Sequence, residues 1–320
     1  MKYLEVGTSG VKASNIVMGC MRLKGKTPGE AEKIIRTYME EGVNYFDHAD
    51  VYGRAEMRGE CESVFGQAMD LRNASVREKM IIQGKCGIVK TDSGSYYDFS
   101  RDYILRAVDA ILGRLNTEYL DFLLLHRPDS LMEPEEVAEA FDKLYKSGKV
   151  RHFGVSNFRS LQVELLQKYT DYKLEANQLH VSIPHCPMID NGIACNLAEE
   201  QAFDRDGQIL EYSRLKKMTI QAWSPFQYGS FASSSKTWIF LGDRERYGLL
   251  NDTLDRIAAE YGVTSTAIAV AWLTTHPANM QVILGSTNPD RIKESCKGSE
   301  LKLTKAQWYE IYKSAGKLIP

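Results

Sequence analysis

The stretch LDFLLLHRPD, residues 120–129, contains an unbroken apolar run from Phe122 to Leu125 that stops at His126. Such a run, bounded by polar residues and proline, predicts a strand buried on both faces, as in the interior of a parallel sheet. A histidine directly after a buried strand is also a candidate for chemistry. The stretch therefore indicates both a fold and a place to look for function.

Seven further segments of this kind occur, separated by stretches with helical periodicity. Strands that alternate with helices are typical of βα units and a parallel sheet. Eight units, with no GxGxxG turn after the first strand, favour an α/β fold of the closed (β/α)8 barrel type over an open doubly wound sheet. The predicted strands span residues 15–23, 43–47, 80–85, 120–126, 152–156, 174–178, 218–223 and 281–286.

Helices are predicted between these strands. The first begins after Thr27, where Thr-Pro-Gly-Glu has the spacing of a capping box with proline at the first helical position. A short hairpin ahead of the first strand is expected to close the barrel floor. Residues 179–206 and 226–250 are expected to form long loops at the C-terminal face. The other predicted helices span 100–116, 134–147, 160–169, 207–216, 251–261, 265–275 and 288–297.

Composition limits the classes of function. The 320 residues are 43% hydrophobic and contain no linker-like segment, which predicts a single domain over residues 1–320. A net charge of -2 and a pI near 6.3 argue against nucleic acid as a partner. No apolar run is long enough for a signal peptide or a membrane span, and the six cysteines form no CxxC pair. We therefore expect a cytoplasmic protein with no membrane partner.

The residues that follow the strands are the candidates for chemistry, because barrel enzymes build their active sites at the C-terminal ends of the strands. Polar side chains that would be costly inside an apolar sheet occur at these ends. In chain order they are Asp47 with Tyr52, Lys85, His126, Ser156 with Asn157, Gln178, Trp223 with Ser224, and Ser286.

Four of these residues form a set with a mechanism. Taken singly, Asp47 could cap a turn, Tyr52 could be loop packing and His126 a structural histidine. Lys85 lies among apolar neighbours and needs a carboxylate partner. Together they predict proton donation to a carbonyl, in which Tyr52 is the acid and the Lys85 ammonium lowers the pKa of its phenol. Asp47 would hold Lys85, and His126 would donate a hydrogen bond to the substrate oxygen.

A metal-dependent hydrolase on the same barrel is an alternative, with Asp47, His48, Asp50 and His126 as imagined ligands. Catalytic zinc usually has three well-placed protein ligands, and the six histidines show no HxH or HExxH spacing. We therefore predict no metal.

Several motifs, in this order along the chain, resemble the aldo-keto reductase superfamily, and the pattern is most similar to its YdhF-like branch of bacterial oxidoreductases. The resemblance implies a (β/α)8 barrel that reduces an aldehyde or ketone with a nicotinamide cofactor and without a metal. The motifs are NYFDHADVYG (44–53), GKCG (84–87), LDFLLLHRPD (120–129), GVSNF (154–158), EANQ (175–178), AWSPF (222–226) and GSTNPDRIKES (285–295).

By matching position, the resemblance makes Tyr52 the general acid, with Asp47, Lys85 and His126 as the other catalytic residues. Ser156, Asn157 and Gln178 would hold the nicotinamide carboxamide. Trp223, where the family more often has tyrosine, would stack on the nicotinamide ring. The remaining implied cofactor-binding residues are Gly19, Cys20, Met21, Asp47, Ser224, Pro225, Phe226, Gly285, Ser286, Thr287, Arg291, Glu294 and Ser295.

Cofactor preference depends on the last of these motifs. Ser286 and Arg291 match positions that bind the adenosine 2′-phosphate, Glu294 and Ser295 match positions near adenine, and Gly285 stands where many members have lysine. The remaining arginine can bind phosphate in a bidentate manner, so NADPH is favoured over NADH. Basic residues of the loop after Trp223, namely Lys236, Arg244 and Arg246, are candidates for contacts with the pyrophosphate.

The expected substrate is a small-molecule carbonyl compound with a nonpolar part, because Met21, Tyr52, Phe226 and residues 179–206 would line its pocket. An alternative function on the same fold is a regulatory or redox-sensing protein that binds the nicotinamide cofactor without turnover.

Overall fold

Eight parallel strands close into a barrel in the computed structural model of the chain, which describes residues 1–54, 56–232 and 243–320. Each barrel strand pairs with the next along the chain, and the last pairs with the first, Leu284 opposite Met18. The (β/α)8 prediction is confirmed, and all eight predicted strands are present. They are β3 (Ile16–Gly19), β4 (Tyr45–Asp47), β5 (Ile81–Cys86), β8 (Leu120–Leu125), β9 (Val150–Ser156), β10 (Leu174–His180), β11 (Thr219–Trp223) and β12 (Met280–Leu284).

An N-terminal hairpin closes the floor of the barrel, as predicted. Its strands are β1 (Tyr3–Glu5) and β2 (Lys12–Ser14). Val6 and Ala13 from this hairpin are fully buried in the barrel interior, in a cluster that includes Tyr45. The Gly7 amide donates a hydrogen bond to Thr219 Oγ1 at 2.8 Å, at the first residue of β11, which fixes the hairpin to the N-terminal end of the barrel.

Helices surround the barrel. The first begins at Pro28 with the expected capping box, in which Thr27 and Glu30 each accept from the other's backbone amide. The helices are α1 (Pro28–Glu40), α2 (Glu60–Ala68), α3 (Ala74–Arg77), α4 (Arg101–Leu115), α5 (Pro134–Lys146), α6 (Ser160–Gln167), α7 (Pro187–Ile193), α8 (Ile209–Lys216), α9 (Asp243–Tyr261), α10 (Ser265–Thr275), α11 (Pro289–Cys296) and α12 (Lys305–Ser314).

The first barrel strand is shorter than predicted. It ends at Gly19, and residues Cys20–Leu23 form a 3-10 helix. Cys20 and Leu23 are buried three positions apart, as this tighter helix requires, whereas Met21 and Arg22 are exposed. Cys20 and Leu23 are therefore buried as part of the 3-10 helix and not of the sheet.

Several elements were missed. The helices α2, α3 and α12 lie where no element is predicted, α7 lies within the predicted loop 179–206, and α9 begins earlier than predicted, within the predicted loop 226–250. A second hairpin, β6 (Ile88–Thr91) and β7 (Gly94–Tyr97), follows β5. All four residues of β7 are exposed, so the hairpin carries no alternating apolar signal.

Two loop residues singled out for the pyrophosphate cannot be placed, since Lys236 and the side chain of Arg244 lie outside the described residues. Arg246 is exposed and lies over the ring of Tyr247, 5.2 Å from its centroid. No helix in the described ranges has the length and apolarity needed to cross a membrane.

Candidate active site

A buried ion pair lies at the base of the site. Asp47 is the last residue of β4, and Lys85 is on the neighbouring strand β5 with no exposed surface. The Lys85 ammonium donates to Asp47 Oδ1, which also accepts from Gln83 Nε2 at 2.5 Å and Gln178 Nε2 at 3.0 Å. Gln83 and Lys85 are two positions apart on one strand, so both side chains point to the same side of the sheet.

Burial acts against the charge of Lys85. Removal from water lowers the pKa of the Lys85 ammonium, whereas the Asp47 carboxylate raises it again through charge and a hydrogen bond. Lys85 was predicted to need a carboxylate partner, and Asp47, the residue predicted from the sequence, is that partner.

Tyr52 and His126 face each other above this pair. Tyr52 lies in the loop after β4, and His126 directly follows β8. Their rings meet edge to face at 83°, with centroids 5.8 Å apart. The Lys85 ammonium lies 5.1 Å from the centroid of the Tyr52 ring. The structure thus brings the four predicted catalytic residues together.

The loop that carries Tyr52 is held by its own backbone and by α2. Tyr52 N–H donates to Ala49 O at 3.0 Å, and Cys61 N–H of α2 donates to Tyr52 O at 3.3 Å. Gly53 has a φ of +155°, and a Cβ there would lie 2.2 Å from Met57 O. Glycine is therefore required beside Tyr52.

The sequence-based expectation for the acidity of Tyr52 was wrong in direction. Burial raises the pKa of the Tyr52 phenol well above its ordinary value, and the negative charge of Asp47 raises it further. The sequence shows which charges are nearby, but it does not show how completely water is excluded. Tyr52 is accordingly held in its protonated form at neutral pH.

His126 is held in its neutral form. Burial lowers the pKa of its imidazole well below the usual range, and the positive charges of Lys85 and Arg127 lower it further. A neutral imidazole keeps one N–H group, so His126 can still donate a single hydrogen bond.

A cleft of about 560 Å³ opens above these residues. Lys85 is fully buried and does not line it. Cys20 and Thr287 are not among the residues that line it, and Cys20 is fully buried. The other predicted site residues line it together: Gly19, Met21, Asp47, Tyr52, His126, Ser156, Asn157, Gln178, Trp223, Ser224, Pro225, Phe226, Gly285, Ser286, Arg291, Glu294 and Ser295.

Polar side chains in the middle of the cleft are fixed by one another. Asn157 Nδ2 donates to Ser156 Oγ at 2.8 Å, and Ser156 Oγ donates to Gln178 O at 3.1 Å. The indole N–H of Trp223 donates to Asn157 Oδ1 at 3.1 Å. Asn157 has a left-handed φ of +63°, an unusual conformation that this network stabilises.

Trp223 is the end of a column of three stacked rings. The imidazole of His180 packs on the indole at 4.1 Å and 13°, and His185 packs on His180 at 4.0 Å. Trp223 lines the cleft, whereas the two histidines do not. His180 therefore covers one flat face of an indole that borders the cleft, an arrangement that suits the stacking of a planar ring.

Two arginines in the cleft were missed. Arg22 belongs to the 3-10 helix, a segment for which the sequence predicts a strand, and Arg127 directly follows His126. The Arg127 guanidinium carbon lies 5.7 Å from the Trp223 ring centroid. The motif LLLHRPD contained a signal for Arg127, because the residues that follow barrel strands form the loops around the active site.

His48 and Asp50, the other imagined metal ligands, do not line the cleft. His48 is fully buried, with its ring edge-on to Phe65 at 4.6 Å. Asp50 is paired with Arg58 at 2.5 Å. In the part of the chain that the structure describes, no three His, Cys, Asp or Glu side chains are grouped to hold a metal ion.

The aldo/keto reductase family model matches residues 15–315. The chain belongs to the aldo/keto reductase family. Oxidoreductase YdhF of Escherichia coli (strain K12) is 34% identical over 322 residues, 98% of each chain, which confirms the predicted resemblance. A 6-dehydroglucose reductase of Novosphingobium aromaticivorans is 32% identical over 323 residues, 99% of this chain and 97% of the relative.

The fold of this aldo/keto reductase family member is shared with a crystal structure of the thermostable aldo-keto reductase Tm1743 in complex with the inhibitor epalrestat. The TM-score is 0.76 at 24% identity, covering 98% of this chain and 100% of that one. Family membership makes this aldo/keto reductase an NAD(P)H-dependent oxidoreductase that acts on small-molecule carbonyl compounds. The cleft suits such a cofactor, since the Trp223 indole stacked on His180, the Asn157 amide bonded to it and Arg291 all line it.

Proposed function

We propose that this protein reduces an aldehyde or ketone to an alcohol with NADPH as the hydride donor and Tyr52 as the general acid. The observation that carries the proposal is the convergence of Tyr52 and neutral His126 above the Asp47–Lys85 pair, in a cleft that also contains Arg291. A proton donor, a hydrogen-bond donor and an anion-binding group are thereby available in one cleft to a carbonyl substrate and its cofactor.

A bound nicotinamide would supply hydride to the carbonyl carbon, and the protein supplies the proton. Reduction of a carbonyl group places negative charge on its oxygen. Tyr52, held protonated by burial, gives its proton to that oxygen. His126, held neutral, donates a hydrogen bond to the same oxygen and thereby orients the carbonyl.

The Lys85 ammonium acts on the phenolate that remains after proton transfer. It lies 5.1 Å from the centroid of the Tyr52 ring, so its positive charge attracts the negative charge of a phenolate there. This attraction grows only as the proton leaves Tyr52, so it favours the transfer over the resting state. Asp47 keeps Lys85 charged and in position.

NADPH is proposed over NADH because Ser286 and Arg291 line the cleft. A guanidinium can bind a phosphate through two parallel hydrogen bonds, and the 2′-phosphate is the group that distinguishes the two cofactors.

The substrate class follows from the apolar side chains of the cleft. Met21, Tyr52 and Phe226 border it, which supports a carbonyl compound with a nonpolar part. The relative named 6-dehydroglucose reductase adds oxidised sugars to the substrates that merit testing. A single domain over residues 1–320 and a cytoplasmic location remain predictions from the sequence.

The direct test replaces the acid. Tyr52→Phe removes one hydroxyl group, and we expect the rate of carbonyl reduction to fall by about a hundredfold to ten-thousandfold, the usual range for general acid catalysis. NADPH affinity, measured by fluorescence titration, is expected to stay within about twofold, since the lost group acts on the substrate. NADPH consumption with a panel of aldehydes, ketones and quinones measures the rate.

The matched control is Tyr212→Phe, which removes a tyrosine hydroxyl bonded to Glu164 at 2.9 Å on the outside of the barrel. It is expected to leave turnover unchanged. Tyr52→Phe that reduces carbonyls as fast as the wild type would show that another group supplies the proton. Tight NADPH binding by the wild type without turnover across the panel would instead favour the regulatory or redox-sensing alternative.

A further inference from the structure

The seam at which the barrel closes brings Arg22 beside Gly285. Strand β12 pairs with β3, so the 3-10 helix after β3 and the loop after β12 leave the sheet side by side. A Cβ atom built on Gly285 would lie 3.6 Å from Arg22 Nε and 3.7 Å from Arg22 Cδ. The Arg22 side chain therefore lies over the position from which a side chain at 285 would extend.

The backbone at Gly285 does not require glycine. Gly285 is not among the glycines with a positive φ, so any residue could adopt its conformation. A Cβ alone would make ordinary van der Waals contact with Arg22. A longer side chain would compete with the guanidinium for the same space. The absence of a side chain leaves that space to Arg22.

Arg22 shares the cleft with Arg291. Both line it, as does Ser286. Neither arginine forms a salt bridge with any residue in the described ranges, and Glu294 in the same cleft pairs with neither. Two guanidinium groups that are not neutralised by protein carboxylates make this part of the cleft suited to an anion with several oxygens.

We propose that Arg22 binds the 2′-phosphate of NADPH together with Arg291 and Ser286. The proposal rests on the proposed function, because it assumes NADPH as the cofactor. It adds a residue of the 3-10 helix after β3 to a site that residues 286–295 otherwise form. The phosphate would then lie between one arginine from each side of the seam.

The test compares NADPH and NADH affinities by fluorescence titration, without any need for turnover. Arg22→Ala is expected to weaken NADPH binding by about tenfold or more, the loss typical of one hydrogen bond to a charged group, and to weaken NADH binding by less than about twofold. Arg291→Ala serves as the reference for a 2′-phosphate contact. Lys24→Ala, an exposed cation two positions away that does not line the cleft, is the matched control and is expected to change neither affinity.

A relocation of the charge gives a second test. In Arg22→Ala/Gly285→Lys the new ammonium extends from the position over which Arg22 lay, and we expect it to recover at least about threefold of the lost NADPH affinity. Arg22 is exposed, so its replacement does not endanger folding. Circular dichroism of each variant confirms this.

Two results would overturn the proposal for Arg22 alone. One is a wild type that prefers NADPH and an Arg22→Ala variant that keeps the preference. The other is an equal loss of NADPH and NADH affinity, which would place Arg22 at a phosphate that the two cofactors share. A wild type that binds both cofactors equally would refute the proposed cofactor preference, and the role of Arg22 with it.

Discussion

His48 shows how a residue beside the site contributes at the scale of a single side chain. It follows Asp47 directly, yet it is fully buried, and neither ring nitrogen has a hydrogen-bond partner among the described residues. Burial and, to a smaller extent, the charge of Lys85 together lower the pKa of the His48 imidazole to about 3. The histidine is neutral in the folded protein and titrates near its ordinary value only in the unfolded chain.

This difference predicts a pH dependence of stability. Between pH 6.5 and about pH 3 the unfolded chain binds a proton at His48 that the folded protein does not, so His48 makes folding less favourable as the pH falls. From pH 7 to pH 5 its contribution to the free energy of unfolding is a loss of roughly 2 kcal/mol. We expect His48→Leu to lack this loss, because leucine does not titrate.

Urea unfolding of the wild type and of His48→Leu at pH 7 and pH 5 measures the effect. The useful quantity is the change between the two pH values, since the cost of repacking against Phe65 is the same at both and cancels. Identical changes for the two proteins would mean that His48 titrates normally in the folded state.

The residues of the site were predictable where position along the chain determined them. Asp47, Tyr52, Lys85 and His126 follow or end predicted strands, and the barrel brings strand ends together. Arg22 was missed because an apolar run concealed the end of a strand at Gly19. The raised pKa of Tyr52 could not be predicted, because burial depends on the packing of the whole loop.

At the scale of elements, the barrel strands were predictable because they are apolar on both faces and short. The helix α2 was missed for a local reason. It begins after Gly59, with no side-chain cap, and contains Gly66, both of which weaken the helical signal. The structure shows why Gly66 is present: a Cβ there would lie 2.4 Å from Arg114 O at the end of α4. The close contact between α2 and α4 therefore requires glycine at this position, although glycine lowers the helix propensity of α2.

This packing predicts opposite effects for two glycines in helices. Gly66→Ala would force apart the backbones of α2 and α4, and we expect it to lower the free energy of unfolding by about 1 to 3 kcal/mol. Gly113→Ala in α4 has no atom within 4 Å of the new Cβ, and we expect a gain of about 0.5 to 1 kcal/mol from helix propensity. Urea unfolding measures both. Stabilisation by both substitutions would contradict the close approach at Gly66.

At the scale of the whole molecule, the two ends of the barrel have separate tasks. The N-terminal end is closed by the hairpin β1–β2, whose residues Val6 and Ala13 pack into the barrel interior. The C-terminal end carries the cleft. Layers of buried side chains, including Tyr45 and Phe122, lie between them. Stability and chemistry therefore depend on different residues, as is usual for this architecture.

Val6→Ala tests this separation. It removes two buried methyl groups at the barrel floor, and we expect the free energy of unfolding to fall by about 2 kcal/mol from lost apolar burial and the cavity left behind. NADPH affinity and the rate of carbonyl reduction are expected to stay within about twofold, because Val6 itself does not line the cleft. Val11→Ala, at a half-buried position of the same hairpin, is the control and should cost less stability. Urea unfolding and cofactor titration of both variants provide the measurements. A loss of cofactor affinity in Val6→Ala that matches its loss of stability would show that the floor and the cleft are coupled, and that the hairpin positions the strands that carry Asp47 and Lys85.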